Sequence, residues 1–399
     1  MPKKILVTGG SVSANTLAWW LVKGGFDVTV VEKAPEFRDG GQNIDVRGAA
    51  RTVLRRMGLE QRVEKEGTGE TAWTFVDEKG EVVAKFELKD LGANGPTAEL
   101  EILRGELAKI IFEQVRADVQ YRFGDAIEAI SEHDRLVNVC FRSGKEENYD
   151  LVVVAEGVGS STRELVLKGE NEPRWMDITM GYFTIPKGQD DSSEARWYNA
   201  PGGRSVFLRP DNKGSTRAVL TLQAAIREVP EHSLEEQKRW LKQTFADAGW
   251  ETPRVLDGLD KADDLYFDVL RQVKLDRWHK GRVVLTGDAA WCATPLSGIG
   301  TTLAIVGAYV LAGELSKTDN IEDALISYEK IMRPFVEQGQ NVSKIAPRLN
   351  HPRSHLGISL QRTLLAVVSK PGLRDLLAKV AMPGADKIDL PDYSYDWAR

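Results

Sequence analysis

The chain has 399 residues, of which 42% are hydrophobic and 28% charged, with 2 cysteines. That is globular composition, and it excludes a disordered, collagen-like or disulfide-scaffold protein. Its 53 basic and 59 acidic side chains leave a net charge of −6, which argues against nucleic acid as a partner, because such binding rests on neutralising phosphates with Lys and Arg.

Two cysteines and 5 histidines leave little for a metal cluster, so no metal is expected and a reducing, cytoplasmic compartment is the default. No signal peptide is legible in the basic MPKK start. The longest apolar run, Leu303 to Leu315, is broken by Gly307 and Gly313 and is too short to span a membrane.

In chain order, Lys4 to Val7 is a β-rich run followed by Gly9-Gly10, a helical pattern from Ala14 to Lys23, and a second β run from Asp27 to Val31 that ends at Glu32. Strand, turn, helix and strand in this order open a parallel α/β sheet. A hairpin is expected from Ala72 to Phe86 around Glu78-Lys79-Gly80, then a helix from Arg104 to Val115 and a buried strand from Tyr149 to Ala155. Residues 180–223 alternate polar and apolar with Pro and Gly punctuation, the pattern of antiparallel strands. Ser233 and Glu236 form a capping box ahead of an amphipathic helix reaching about Ala248. A strand from Arg282 to Thr286, a loop, a helix from Thr301 to about Leu315 and a helical stretch from Ile358 to Lys379 complete the chain.

The segment Gly9-Gly10-Ser11-Val12-Ser13-Ala14 sits where a dinucleotide fingerprint belongs. Gly9 makes the tight turn, Ala14 lets the helix approach the strand, and the helix N-terminus offers free N–H groups to a pyrophosphate. Glu32, with Lys33 beside it, ends the second strand, where a carboxylate accepts from a ribose diol. Ser11 replaces the usual middle glycine, and its hydroxyl is able to donate to a phosphate oxygen. A glycine-rich turn that binds nothing has the same signature.

Three more motifs are specific: FRDGGQNIDVRG from Phe37, LVVVAEGVGSSTR from Leu151, and RVVLTGDAAWCATPLSGIG from Arg282. With Arg104 in EILRGEL, their order resembles the group A flavoprotein monooxygenases, the para-hydroxybenzoate hydroxylase family, and most nearly the flavin-dependent tetracycline monooxygenases. The likeness covers about residues 3–55, 100–165 and 280–345. It implies an α/β (α+β overall) fold: a Rossmann-like FAD-binding lobe, an interleaved antiparallel-sheet substrate lobe and C-terminal helices. The lobes are then 1–70, 100–175 and 277–345 for FAD, 71–99 and 176–276 for substrate, and 346–399 for the helical end.

By this resemblance FAD contacts fall to Asp45, Arg47, Arg104, Gly287, Asp288 and the loop Pro295, Gly298, Gly300 and Thr301, and Arg38 matches a position assigned to NADPH. Glu156-Gly157 departs from the family's Asp-Gly; as cofactor-binding residues they are still expected to serve, the longer side chain reaching a ribose or a water near the pyrophosphate, with its part with NADPH open. Tyr182, Arg196, Tyr198, Phe207 and Arg209 are the candidate substrate residues, paired by period-2 spacing as Arg196 with Tyr198 and Phe207 with Arg209. Each also has an ordinary reading, the aromatics as core and the arginines as surface.

The implied activity is FAD-dependent oxygenation of an aromatic, phenolic or polyketide-like molecule through a C4a-(hydro)peroxyflavin, with NADPH (or NADH) as a transient cosubstrate and O2 as oxidant, in a monomer or homodimer. No side chain stands out as a catalytic base. A reductase or halogenase on the same fold, and a non-catalytic nucleotide-binding regulator, are the alternatives.

Overall fold

A computed structural model of the chain describes residues 2–91, 100–224, 233–343, 346–370 and 388–393. A six-stranded sheet runs in the order His279–Lys280, Val283–Leu285, Leu151–Val154, Lys4–Thr8, Asp27–Glu32 and Gln120–Phe123. All its pairings are parallel except that of the first two strands. The inner strands Val283–Leu285, Leu151–Val154 and Lys4–Thr8 carry runs of Val, Ile and Leu because both their faces are covered. On one side lie the helices Val12–Lys23, Arg104–Val115 and Gly300–Lys317; on the other, Val137, Val139 and Phe141 of an antiparallel three-stranded meander join the same core. The Gly300–Lys317 helix is apolar nearly all round and is buried along most of its length.

A second, seven-stranded sheet has the order Tyr266–Gln272, Arg174–Pro186, Ser215–Gln223, Arg204–Pro210, Glu194–Ala200, Ala72–Val76 and Val82–Glu87. The early hairpin thus pairs with strands more than a hundred residues later, in parallel between Ala72–Val76 and Glu194–Ala200. One face packs on the helices Leu234–Phe245 and Thr252–Lys261 through Phe183, Tyr198, Leu208, Leu220, Leu241 and Phe245. Alternation turns the other set of side chains away from those helices, toward the six-stranded sheet. A short ladder, Asn43–Asp45 with Glu101–Leu103, lies between the sheets and meets the larger one where Asn43 donates to the Pro210 carbonyl.

Most expected elements occur with small changes of boundary. The first helix begins at Val12, since Ser11 is extended and serves as its N-cap, and the expected strand from Tyr149 narrows to Leu151–Val154. The capping box at Ser233 and Glu236 forms in full, each side chain bonding the other's backbone. The C-terminal helix starts earlier than expected, at His355, and runs to Val368; residues 371–379 of the expected stretch lie outside the described residues.

Candidate active site

The carboxyl ends of the parallel strands carry the fingerprint. Gly9 has φ +101°, and a Cβ there would lie 2.5 Å from the Ala155 carbonyl oxygen, so only glycine permits this turn. The helix that follows has no side-chain cap and no acid in its first turn, leaving its N–H groups and positive dipole end free for an anion. Ser13 Oγ is buried there without a partner. Gly287, with φ +60°, brings the turn ahead of Asp288 so close to the first helix that a Cβ would lie 2.9 Å from Ser13 Oγ. Glu32 accepts from the Gly10 amide at 2.7 Å and the Ala34 amide at 2.8 Å, which fixes its carboxylate at the strand end with further lone pairs to spare. Lys33 and Arg38 are exposed, Arg38 standing 3.7 Å from Glu32.

Arg104 crosses above this helix end. Its two Nη atoms lie 3.4 Å from Ser11 Oγ and 3.5 Å from the Gly40 carbonyl, at the long limit of hydrogen bonding, while Nε is buried without a partner. A half-buried guanidinium with an orphaned donor is suited to a phosphate or a flavin oxygen. Its position depends on glycines. A Cβ on Gly41 would stand 2.8 Å from Arg104 Nε, and one on Gly105 would fall inside the Asp39 carbonyl group.

Asp288 opens onto the same cleft. The residue is exposed to the cleft, but the protein crowded around its carboxyl removes enough hydration to lift it from 3.8 to about 6. The Arg104 charge opposes the rise and the Asp268 carboxylate adds to it. Asp268 is raised as well, by burial first, despite Arg271 at 3.3 Å. Arg163, buried in the neighbouring loop, donates to the Ala289 carbonyl at 3.2 Å and the Val158 carbonyl at 3.0 Å, tying the Glu156 and Asp288 motifs together. Beyond Asp288, Thr294 holds φ 71° and ψ 156°, a conformation nearly confined to glycine, and such strain clusters at functional loops. Gly298 is left-handed, and the helix from Gly300 again begins without a side-chain cap or an acid. Asp45 and Arg47 form a 3.1 Å ion pair beside it, and the Arg47 carbonyl lies 3.5 Å from Thr302 Oγ.

Two sets of expected contacts need correction. Glu156 does not point into the cleft. Its carboxylate accepts from Ser160 Oγ at 2.8 Å, the Thr162 amide at 3.0 Å and the Thr162 hydroxyl, so it caps the helix Ser161–Val166; the extra methylene over Asp lets it reach there. Arg196 and Tyr198 lie on the far face of the seven-stranded sheet. Arg196 stacks on Trp250 with its guanidinium carbon 5.3 Å from the ring, and Tyr198 packs in the helix-side core with its hydroxyl 3.3 Å from the Gly249 amide.

The near face carries an aromatic row read directly from the register: Tyr266 pairs Tyr182, Tyr182 pairs Val219, Val219 pairs Phe207, Phe207 pairs Trp197, and Trp197 pairs Phe75. Trp73 packs edge-on to Phe207 at 5.1 Å. Met180, on this face, and Leu296 of the glycine loop pack against one cluster of Met176, Ile178 and Leu270, and Tyr266 feels the charges of Arg104 and Asp288, so the row faces the cleft. Arg209 ends it, bonded to Glu70 at 2.9 Å and to Glu101, both buried, and is thus neutralised rather than free for an anionic substrate.

Nothing in the sequence alone singles out Trp73, Tyr266, Asp268 or Thr294 as site residues. Period-2 spacing reveals Trp73 and Tyr266 once strand order is known, whereas nothing local marks Asp268 or Thr294. A separate polar recess of about 330 Å³, lined by Lys4, Asp27, Arg122 and Glu147 among others, lies at the amino ends of the strands, the wrong end for a nucleotide in an open α/β sheet.

Residues 3–342 match the family model described as FAD binding domain. Across 98% of both chains the sequence is 36% identical to the FAD-dependent monooxygenase asL6 of Sarocladium schorii and 37% identical to the monooxygenase CTB7 of Cercospora beticola. Its fold superposes on the crystal structure of the tetracycline destructase Tet(51) with a TM-score of 0.83 at 29% identity, covering 98% of this chain and 100% of that one.

Proposed function

The chain belongs to the FAD-binding-domain family and is an FAD-dependent monooxygenase, and from that premise we propose that its substrate is a hydroxylated aromatic or polycyclic, polyketide-like molecule lying on the Tyr182–Phe207–Trp197 row. The observation that carries this reading is that row itself, a wide flat apolar face opposite Arg104, Asp288 and two uncapped helix ends. A planar ring system matches the face in shape and hydration.

The residues present fit FAD. The pyrophosphate is assigned to Gly9, Ser11, Val12 and Ser13, with Ala14 giving close helix packing, and to Arg104; the ribose to Glu32; the ribitol chain to Asp288 behind Gly287. The flavin ring is assigned to the loop Pro295, Gly298, Gly300 and Thr301, with Asp45 and Arg47 at its edge. The orphaned Ser13 Oγ and Arg104 Nε supply donors where this ligand has phosphate oxygens. Bound FAD supplies the redox chemistry that activates O2. The chain's own part is to orient the substrate, to exclude water with the aromatic row, and to set charge with the helix end at Gly300, whose free N–H groups favour negative charge on the ring edge.

NADPH (or NADH) is assigned a transient place near the exposed Arg38. The lobe boundaries expected above are carried into this reading, with strand Arg174–Pro186 crossing the one at 175/176. Ser11 lies beside Arg104 and Glu156 caps a helix, so neither departure from the family pattern favours a non-catalytic regulator.

Absorption spectra with and without NADPH test the reading, followed by NADPH oxidation with tetracycline and 1,8-dihydroxyanthraquinone as probes. The expected result is a yellow protein with one FAD per chain, bleached by NADPH, and probe-stimulated oxidation giving a product one oxygen heavier. A flavin that is reduced at the same rate with or without every polycyclic phenol tried, leaving each unchanged in mass, overturns the substrate assignment.

A further inference from the structure

The helix His355–Val368 is amphipathic with its apolar face turned outward. Leu356, Leu360, Leu364 and Val367 are 80%, 71%, 61% and 42% exposed, and Leu349 of the preceding short helix Ala346–Asn350 is 65% exposed. Steps of four, four and three residues place the helical four on one stripe. The inward side is held mainly by polar bonds: Gln361 accepts from Asn199 Nδ2 at 2.7 Å and donates to the Leu349 carbonyl at 2.8 Å, and Arg362 pairs with Glu78 at 2.8 Å. Only Ile358 of this helix is buried. A soluble helix normally has the reverse arrangement, and a contiguous apolar patch of this kind marks an interaction surface.

Charge selects the occupant. No Asp or Glu occurs between Glu337 and Asp375, a stretch holding Lys344, Arg348, Arg353, Arg362, Lys370 and Arg374, in a chain of net charge −6. Arg348 and Lys370 are exposed at the two ends of the described segment. The stripe is four helical side chains long, a few hundred Å² at most, well short of the ~800 Å² per partner of a stable protein interface. A bilayer needs no such complementary area, because each inserted leucine gains independently and basic residues at the rim are drawn to anionic headgroups. No helix among the described residues is long and apolar enough to cross a membrane, so the contact is peripheral.

We propose that residues 346–370 form a docking element that lays the Leu356–Leu360–Leu364–Val367 face into the surface of an anionic phospholipid bilayer. The same segment borders the aromatic row: His351 stands 5.7 Å from Trp197, ring centre to ring centre, and Gln361 is bonded to Asn199 two residues on. Docking therefore turns that end of the row toward the bilayer, where apolar ring compounds dissolve. This last consequence rests on the proposed substrate; the docking does not.

The test is co-sedimentation of the FAD-loaded full chain with vesicles of phosphatidylcholine alone and of phosphatidylcholine with about one third phosphatidylglycerol. Wild type is expected to sediment with the anionic vesicles. The double variant Leu360→Asp/Leu364→Asp is expected to lose binding at least about tenfold with flavin absorbance and far-UV circular dichroism unchanged, and Arg348→Glu/Lys370→Glu to lose it several-fold. Leu360→Ser/Leu364→Ser, which adds no charge, serves as the second variant and is expected to weaken binding in the same direction. No sedimentation with either vesicle overturns the proposal, as does equal binding to both. A dimer in sedimentation velocity that Leu360→Asp dissolves, with no vesicle binding, assigns the face to a second copy and also overturns it. Failure of every ring-compound probe to be oxygenated while vesicle binding persists refutes the substrate reading alone.

Discussion

Replacing Asp288 with Asn separates what this carboxylate costs the empty protein from what it contributes to cofactor binding. Burial lifts its carboxyl from 3.8 to about 6. A folded-state value above the unfolded one means that the group's favourable contribution is complete below 3.8 and is lost as pH rises through 6. The difference of about two units corresponds to about 3 kcal/mol, and screening by water in the cleft, onto which the residue opens, reduces that to about 1.5 kcal/mol. The Asp288→Asn apoprotein is therefore expected to be more stable than wild type at pH 8 by about 1.5 kcal/mol, a rise of about 2 °C in melting temperature, with the advantage gone at pH 4. Affinity for FAD moves the other way. An ionised carboxylate accepts from ribitol hydroxyls more strongly than a neutral one. Roughly one carboxyl in ten is ionised at pH 5, so wild-type affinity falls about tenfold between pH 8 and pH 5 while that of the variant stays flat. Apoprotein melting curves and titrations of quenched FAD fluorescence at both pH values measure the two effects. A wild-type affinity independent of pH, or the same slope in the variant, refutes the assignment of Asp288 to the ribitol chain.

Gly105→Ala drives a Cβ into the Asp39 carbonyl and displaces the segment that seats Arg104, so FAD affinity is expected to fall about 10–100-fold; a dissociation constant within threefold of wild type contradicts this. Glu156→Ala removes a helix cap rather than a ligand, costing about 1–2 kcal/mol in urea unfolding with FAD affinity nearly unchanged, and a large loss of affinity in a folded variant returns Glu156 to the cleft. His351 is held neutral by burial, its value lowered from 6.5 to about 4 despite a bond to the Pro347 carbonyl. Its contribution is full above pH 6.5 and is lost as pH falls from there to 4, by about 3 kcal/mol. His351→Asn should flatten that part of the pH profile in FAD-loaded protein, and an unchanged slope assigns the loss to other groups.

The parallel lobe is legible because its signals are local. A buried Val run, a glycine that must take positive φ and a helix pattern each occupy a few consecutive residues, as at Lys4–Thr8, Gly9 and Val12–Lys23. The substrate face is less so. Alternation identifies which residues share a side of a strand, but Arg196 with Tyr198 and Phe207 with Arg209 are equivalent until the neighbouring strand and the covering helices are known. Register then puts Trp197, not Tyr198, opposite Phe207. Glu156 is ambiguous for a related reason: its spacing from Ser160 and Thr162 reads equally as a cap and as a nucleotide motif. The inverted polarity of the His355 helix follows from what the rest of the chain leaves uncovered, which no window of that segment contains.

The order of the six-stranded sheet sets when a nucleotide pocket first exists during synthesis. Strand Lys4–Thr8 waits for its neighbour Leu151–Val154, and the pocket still lacks a wall until Gly287 settles against Ser13. A growing chain therefore carries an open β edge through about a third of translation and has no completed cofactor pocket through about the first 300 residues, because the contacts that close it are among the most distant in sequence. On the proposed assignment, FAD would join Gly9 and Ser13 to Gly287 and Asp288, segments made far apart in time. Because the strand edges are closed by Leu151–Val154 and Val283–Leu285 themselves, scarcity of flavin during expression would be felt as a lost stabilisation of the completed pocket rather than as an open edge.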